Sequence, residues 1–128
     1  MTSSMLSPVD TIKIFENHPD RFFRAGEIIF EDGTEGEVMY GVLEGEVDMY
    51  VHGLPIETIA PGDVFGIGSL VHEDRLREST AIARTDCKLA YLDKSHFLFA
   101  IQQTPMFAIE VIRSYSDRFR RLKKITGR

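Results

Sequence analysis

Few of the residues that carry chemistry in this sequence are spaced to act together. His18, His52, His72 and His96 are scattered, and none forms a His-x-His cluster with a nearby acid, so no metal site is predicted. Cys87, the single cysteine, has no histidine neighbour to activate it. Lys88 beside it would lower its pKa, whereas burial would leave the thiol inert. Glu44 and Glu46 flank a turn and read as solvated rather than as a catalytic pair. No nucleophile elbow, Walker loop or dinucleotide fingerprint occurs. The reading is therefore of a protein that is not an enzyme.

The stretch best suited to chemistry runs from 61 to 81. Pro61-Gly62 makes a tight turn. Gly66 and Gly68, flanking Ile67, let the backbone approach a ligand closely. Ser69-Leu70-Val71 reads as the start of a short helix whose free N–H groups would face an anion. A plain connecting loop, with glycines needed only for turning, is the alternative. If 77–81 is extended, Arg77 and Ser79 share a face at roughly 6.6 Å, two residues of strand rise. Arg77 then either supplies a guanidinium to an anion or pairs at the surface with Glu73 or Asp74.

The elements that would position this stretch follow from the residue pattern. Ser7-Pro8-Val9-Asp10 reads as a helix start, with a capping serine, proline at the first position and an acid facing the positive end of the dipole. The helix is predicted over 8–18, with Val9, Ile12 and Phe15 as its apolar stripe and Pro19 as its stop. From 22 to 93 the pattern is of short strands punctuated by Ala25-Gly26, Asp32-Gly33, Glu44-Gly45, His52-Gly53 and Pro61-Gly62. Residues 45–51, 80–84 and 88–92 are strand segments, the first alternating apolar and polar side chains. Such spacing predicts a β-sandwich or barrel, with a jelly roll among the topologies. After Asp93 the period turns helical, over 94–101 and then, after Thr104-Pro105, to about 124. Ala108, Ile112, Tyr115, Phe119 and Leu122 recur at coiled-coil spacing. That stripe either joins two copies of the chain or packs back on its own barrel.

The chain of 128 residues suits one domain spanning 1–128, with 43% hydrophobic and 27% charged residues. One cysteine and no apolar run near the ~20 residues that span a bilayer favour a reducing, cytoplasmic setting and no membrane role. The net charge is −5, but residues 113–128 carry seven basic residues against Asp117 alone, which leaves the remainder eleven negative. The tail reads either as a solvated helix face or as a docking surface for an acidic protein partner.

Taken together, three segments resemble the cyclic-nucleotide-binding domain family, which includes bacterial catabolite activator proteins and regulatory subunits of cyclic-AMP-dependent kinase. They are the hairpin Tyr40-Gly41-Val42-Leu43-Glu44-Gly45-Glu46-Val47, the turn Pro61-Gly62-Asp63-Val64-Phe65-Gly66, and Thr80-Ala81-Ile82-Ala83. The upstream run from Ala25 to Gly33 also fits, so the likeness covers about 8–124. It implies a mainly β domain, a double-stranded β-helix (jelly roll) with one N-terminal and two C-terminal helices. It implies a cassette at 61–81 whose ligand contacts fall on Val64, Phe65, Gly66, Ile67, Gly68, Ser69, Leu70, Arg77, Ser79, Thr80 and Ala81. A cyclic nucleotide or another phosphate-containing ligand is the guest expected, no other cofactor is, and a homodimer through the C-terminal helix would report binding. Two departures bear on this. The family's ribose-binding glutamate is replaced by Ile67. Aligned on Thr80-Ala81, the family's phosphate-binding arginine falls on Ser79, whereas counting from Ile67 reaches Arg77. Weak or absent binding of cyclic AMP and cyclic GMP is therefore expected. The family's helix-turn-helix would follow Arg128, so no DNA-reading part is expected.

Overall fold

The computed structural model describes residues 7–126. Helix α1 spans Pro8–Phe15, and its start is a capping box: Ser7 Oγ accepts the Asp10 amide while the Asp10 carboxylate accepts the Ser7 amide. It ends three residues before the predicted last residue, 18. Glu16 is already extended, and its carboxylate meets the Tyr91 amide at 3.3 Å and the Lys13 ammonium at 3.0 Å. That tertiary anchor, rather than Pro19, turns the chain out of the helix.

Eight strands follow: β1 (Arg21–Phe23), β2 (Ile28–Phe30), β3 (Val38–Glu44), β4 (Val47–Val51), β5 (Leu54–Ile59), β6 (Val64–Phe65), β7 (Thr80–Ala83) and β8 (Cys87–Asp93). They form two four-stranded antiparallel sheets, ordered β1-β8-β3-β6 and β2-β7-β4-β5. A one-turn helix, α2 (Gly68–Val71), lies between β6 and β7, and α3 (Lys94–Gln103) and α4 (Met106–Thr126) close the chain. This is the mainly β roll with one helix before it and two after it that the sequence predicts.

The layers are set by side-chain alternation along β3 and β8. Tyr40, Val42 and Leu89 point between the sheets, where they meet Val47, Met49, Ile59, Phe65 and Ala81. Met39, Ala90 and Leu92 point the other way, toward Val9, Ile12, Phe97, Ala100, Phe107 and Val111 of the helices. Strands β3 and β8 of the first sheet are thus buried on both faces, and the helices form a third layer. Gly41 makes this layering close: a Cβ there would lie 3.0 Å from both the Val9 and Ile12 side chains.

Helix α4 does not seat the predicted stripe against the roll. The residues it buries are Phe107, Glu110, Val111, Ser114 and Arg118, a parallel stripe that contains three polar side chains. Ile112 (61% exposed) and Phe119 (62% exposed) of the predicted seam face outward, with Ala108 and Leu122 half-buried. Tyr115 departs from the seam and turns inward, where its hydroxyl accepts the Ile67 amide at 3.1 Å. No helix among the described residues is long and apolar enough to cross a membrane.

Candidate functional site

A cavity of about 320 Å³ opens where the cassette, the second sheet and α4 meet. Seven of the eleven predicted contact residues line it: Phe65, Gly66, Ile67, Gly68, Ser69, Arg77 and Ser79. The other four do other work. Val64 and Leu70 are buried in the helix-side core, Ala81 is buried between the sheets, and Thr80 Oγ1 accepts the Asp32 amide at 3.0 Å.

The floor is built on Gly66. Its φ of +80° is a left-handed conformation that L side chains rarely adopt, and a Cβ there would lie 2.8 Å from Arg77 Nη1. The bare glycine lets its carbonyl accept from Arg77 Nη1 at 2.8 Å and from Ser69 Oγ at 3.3 Å. Ile67 is the residue before α2 and offers no side-chain cap. Its amide is taken up by the Tyr115 hydroxyl on the cavity wall.

Arg77 is held from both sides. Its backbone exchanges hydrogen bonds with the β2–β3 loop, N–H to Thr34 O and carbonyl from the Gly33 N–H, each at 2.8 Å. A Cβ on Gly36 would overlap its guanidinium, so that glycine gives it room. The residue is 6% exposed, and its side chain donates from Nη2 to Val38 O at 2.7 Å and lies 4.0 Å over the Phe30 ring. The surface ion pair with Glu73 or Asp74 is not formed: no carboxylate bonds Arg77 among the described residues. Burial pulls its pKa below the ordinary guanidinium value, against smaller opposing contributions from Tyr40 and Tyr115.

The α4 wall contains what the sequence reading missed. Arg118 Nε donates to Glu57 Oε1 of β5 at 3.0 Å, and Nη1 donates to Val64 O at 2.6 Å and to Ser114 Oγ at 2.9 Å. Its guanidinium lies 4.4 Å over the Tyr115 ring, and burial raises the pKa of that phenol. Ser114 Oγ in turn donates to Asp63 at 2.7 Å, just before β6. In the sequence Arg118 looks like one more cation of the basic tail. The signal was the spacing 107, 111, 114, 118, which is as helical as that of the seam.

Elsewhere, Cys87 is a buried thiol. Burial pushes its pKa up against the hydrogen bonds to Glu46 and Thr85, whose carbonyls lie 3.2 Å from its Sγ. Among the described residues, no group of three or more His, Cys, Asp or Glu side chains is placed to hold a metal ion.

The chain is thus a two-sheet β-roll domain with a glycine-built cavity and a helix as one wall. The model of the cyclic nucleotide-binding domain matches residues 20–104, and the chain belongs to that family. It is 31% identical over 96 residues to a cAMP-dependent protein kinase regulatory subunit of Aspergillus niger, covering 73% of this chain but only 23% of that relative's length. A solved structure of CLP, described as a c-di-GMP-responsive global regulator of Xanthomonas campestris, superposes with a TM-score of 0.81 at 20% identity, covering 93% of this chain and 63% of that one. A structure described within a cyclic-GMP-dependent signalling pathway of bacterial phytopathogenesis gives a TM-score of 0.75 at 26% identity, covering 93% and 94%.

Proposed function

We propose that this chain is a non-catalytic regulatory module whose cavity senses a small anionic ligand and binds cyclic AMP and cyclic GMP weakly or not at all. The observation that carries this reading is Arg77, a buried guanidinium without a carboxylate partner on the wall of a cavity. A charge held out of water without a counter-ion favours an anionic guest. The loss of the family's glutamate at Ile67 argues against a ribonucleotide, because a ribose hydroxyl buried there would lack its acceptor. That costs about 1–3 kcal/mol, or roughly ten- to a hundredfold in affinity.

Transmission follows from the α4 wall. Tyr115 and Arg118 line the cavity while Ile112 and Phe119 of the same helix are exposed. A guest that touches Tyr115 and Arg118 differently in two positions of α4 shifts the helix between them. The outer residues would be read by a second copy of the chain, and the basic end of α4 by an acidic protein partner in the cytoplasm.

A constitutive dimeric scaffold is the second reading, favoured by the Tyr115 hydroxyl already occupying the Ile67 amide. Thermal shift against nucleotides and simple anions separates the two, because only a binder gains stability as ligand concentration rises. Stabilisation by at least one anion, lost in Arg77→Ala, is the expected result. No stabilisation by any anion would leave the scaffold, and submicromolar cyclic AMP binding in calorimetry would refute the weak-nucleotide claim.

A further inference from the structure

The polar groups around the cavity are mostly spent inside the protein. Arg118 pairs with Glu57, Ser69 donates to Gly66 O, His72 Nδ1 lies 3.1 Å from Gly68 O, and the Tyr115 hydroxyl meets the Ile67 amide. Four lining groups have donors to spare: Arg118 at Nη2, though its charge is already offset by Glu57, the Tyr115 O–H, and Arg77 and Ser79, which no carboxylate engages among the described residues. Arg77 uses only Nη1 and Nη2 in its two carbonyl bonds, leaving further N–H capacity in a guanidinium that carries five. The Ser79 hydroxyl makes no hydrogen bond among the described residues and lines the same cavity.

The rest of the lining is largely hydrocarbon and ring: Phe30, Met49, Phe65, Ile67, Val71 and Leu76. None of these accepts a hydrogen bond from a hydroxylated body. The charge around the cavity balances, with Arg77 and Arg118 against Glu57 and Glu78, and exposed Glu78 disfavours a dianion. A volume of about 320 Å³ lies at the small end of ligand sites, which run from roughly 300 to 1,000 Å³.

We propose that the cavity is a site for an organic monoanion with an apolar body, an aromatic or medium-chain carboxylate, whose head is held by Arg77 and Ser79. This rests on the anion-sensing reading above and narrows it to one chemical class. The carboxylate takes the unspent donors of the one buried cation that has no counter-ion among the described residues, and the body covers the apolar wall without stranding a hydroxyl.

Calorimetry tests this with 2-naphthoate and octanoate, their neutral counterparts 2-naphthylmethanol and octanol, cyclic AMP, 2′-deoxy cyclic AMP and inorganic phosphate. The expected result is that at least one carboxylate binds tenfold or more tightly than cyclic AMP and than its own alcohol. Ile67→Glu sits on the half-exposed rim and keeps Arg77 intact. It should weaken the carboxylate at least tenfold by placing a like charge beside it, and Arg77→Gln should do the same by removing the cation. Circular dichroism checks that each variant is folded. Cyclic AMP binding more tightly than both carboxylates would overturn the ligand class and leave anion sensing standing. Equal binding of an acid and its alcohol, or no binding by any anion including phosphate, would overturn both.

Discussion

Replacing Arg118 with alanine removes the side chain that fastens α4 to the roll. The wild-type guanidinium donates to Glu57, Val64 O and Ser114, and its side chain is 6% exposed against 21% for Glu57. Breaking a buried ion pair by deleting one partner costs about 3–5 kcal/mol, because the survivor keeps its charge without its counter-ion. Here water reaches the Glu57 carboxylate, which moderates that penalty, but the Val64 carbonyl also loses a donor. The expected loss is about 2–3 kcal/mol of unfolding free energy, equivalent to roughly 6–12 °C in Tm for a domain of this length.

Urea denaturation of four proteins measures it: wild type, Arg118→Ala, Glu57→Gln, and the double variant Glu57→Gln with Arg118→Met. The double variant removes both charges while keeping most of the volume, so it should lose less than the two single variants combined. Hydrogen exchange should show α4 amides from 111 to 122 opening faster in Arg118→Ala than those of β3 and β8. A single-variant loss below about 0.5 kcal/mol, the range of an exposed surface pair, would refute the inference that Arg118 clamps the helix. Strict additivity in the cycle would refute the pairing with Glu57.

Two further outcomes follow from the geometry. Gly66→Ala places a side chain at φ +80° and a Cβ 2.8 Å from Arg77 Nη1, so it should cost about 1–3 kcal/mol in denaturation and displace the guanidinium from the Gly66 carbonyl; wild-type stability with unchanged anion binding would contradict it. Glu110 is buried between α1 and α4, where Thr11 Oγ1 lies 3.5 Å away, and burial raises its pKa despite Arg113, with Asp10 adding to the rise. The folded state therefore holds this proton to higher pH than the unfolded state, and the contribution to stability falls as pH rises from the ordinary carboxylate range through the raised one. Glu110→Gln should remove that part of the slope and be more stable than wild type at pH 7 but not at pH 3; equal pH profiles by thermal melts would count against it.

The roll was legible because its signals are local. Glycine-punctuated runs fell where β2 to β6 stand, the segments 80–84 and 88–92 fell on β7 and β8, and the alternation at 47–51 marked β4 directly. The cassette was legible for the same reason, since Gly66 has to be a glycine where it is. The end of α1 was not legible, because what stops the helix at Phe15 is a contact between Glu16 and Tyr91, seventy-five residues away. Nor was the inward face of α4. Two parallel stripes run along it, and the one that faces the roll carries Glu110, Ser114 and Arg118. Hydrophobic periodicity ranks such a stripe below its apolar neighbour, because a polar side chain declares itself buried only when its partner is known. Glu57 and Asp63 are those partners, and both lie more than fifty residues upstream.

The two stripes give one helix two distinct surfaces. Had the apolar seam packed on the roll, α4 would have been an ordinary amphipathic helix with a solvated back. Instead its polar stripe is neutralised at the cavity wall, and its apolar stripe carries Ile112 and Phe119 into solvent. Because the inner stripe holds by directional bonds to Val64, Glu57 and Asp63, rotation of the helix breaks several of them together. Polar anchoring of this kind favours a small number of discrete helix positions over continuous sliding. On the sensing function proposed above, a guest in the cavity would need only to favour one position over another by its contacts with Tyr115 and Arg118 to change what the outer stripe presents.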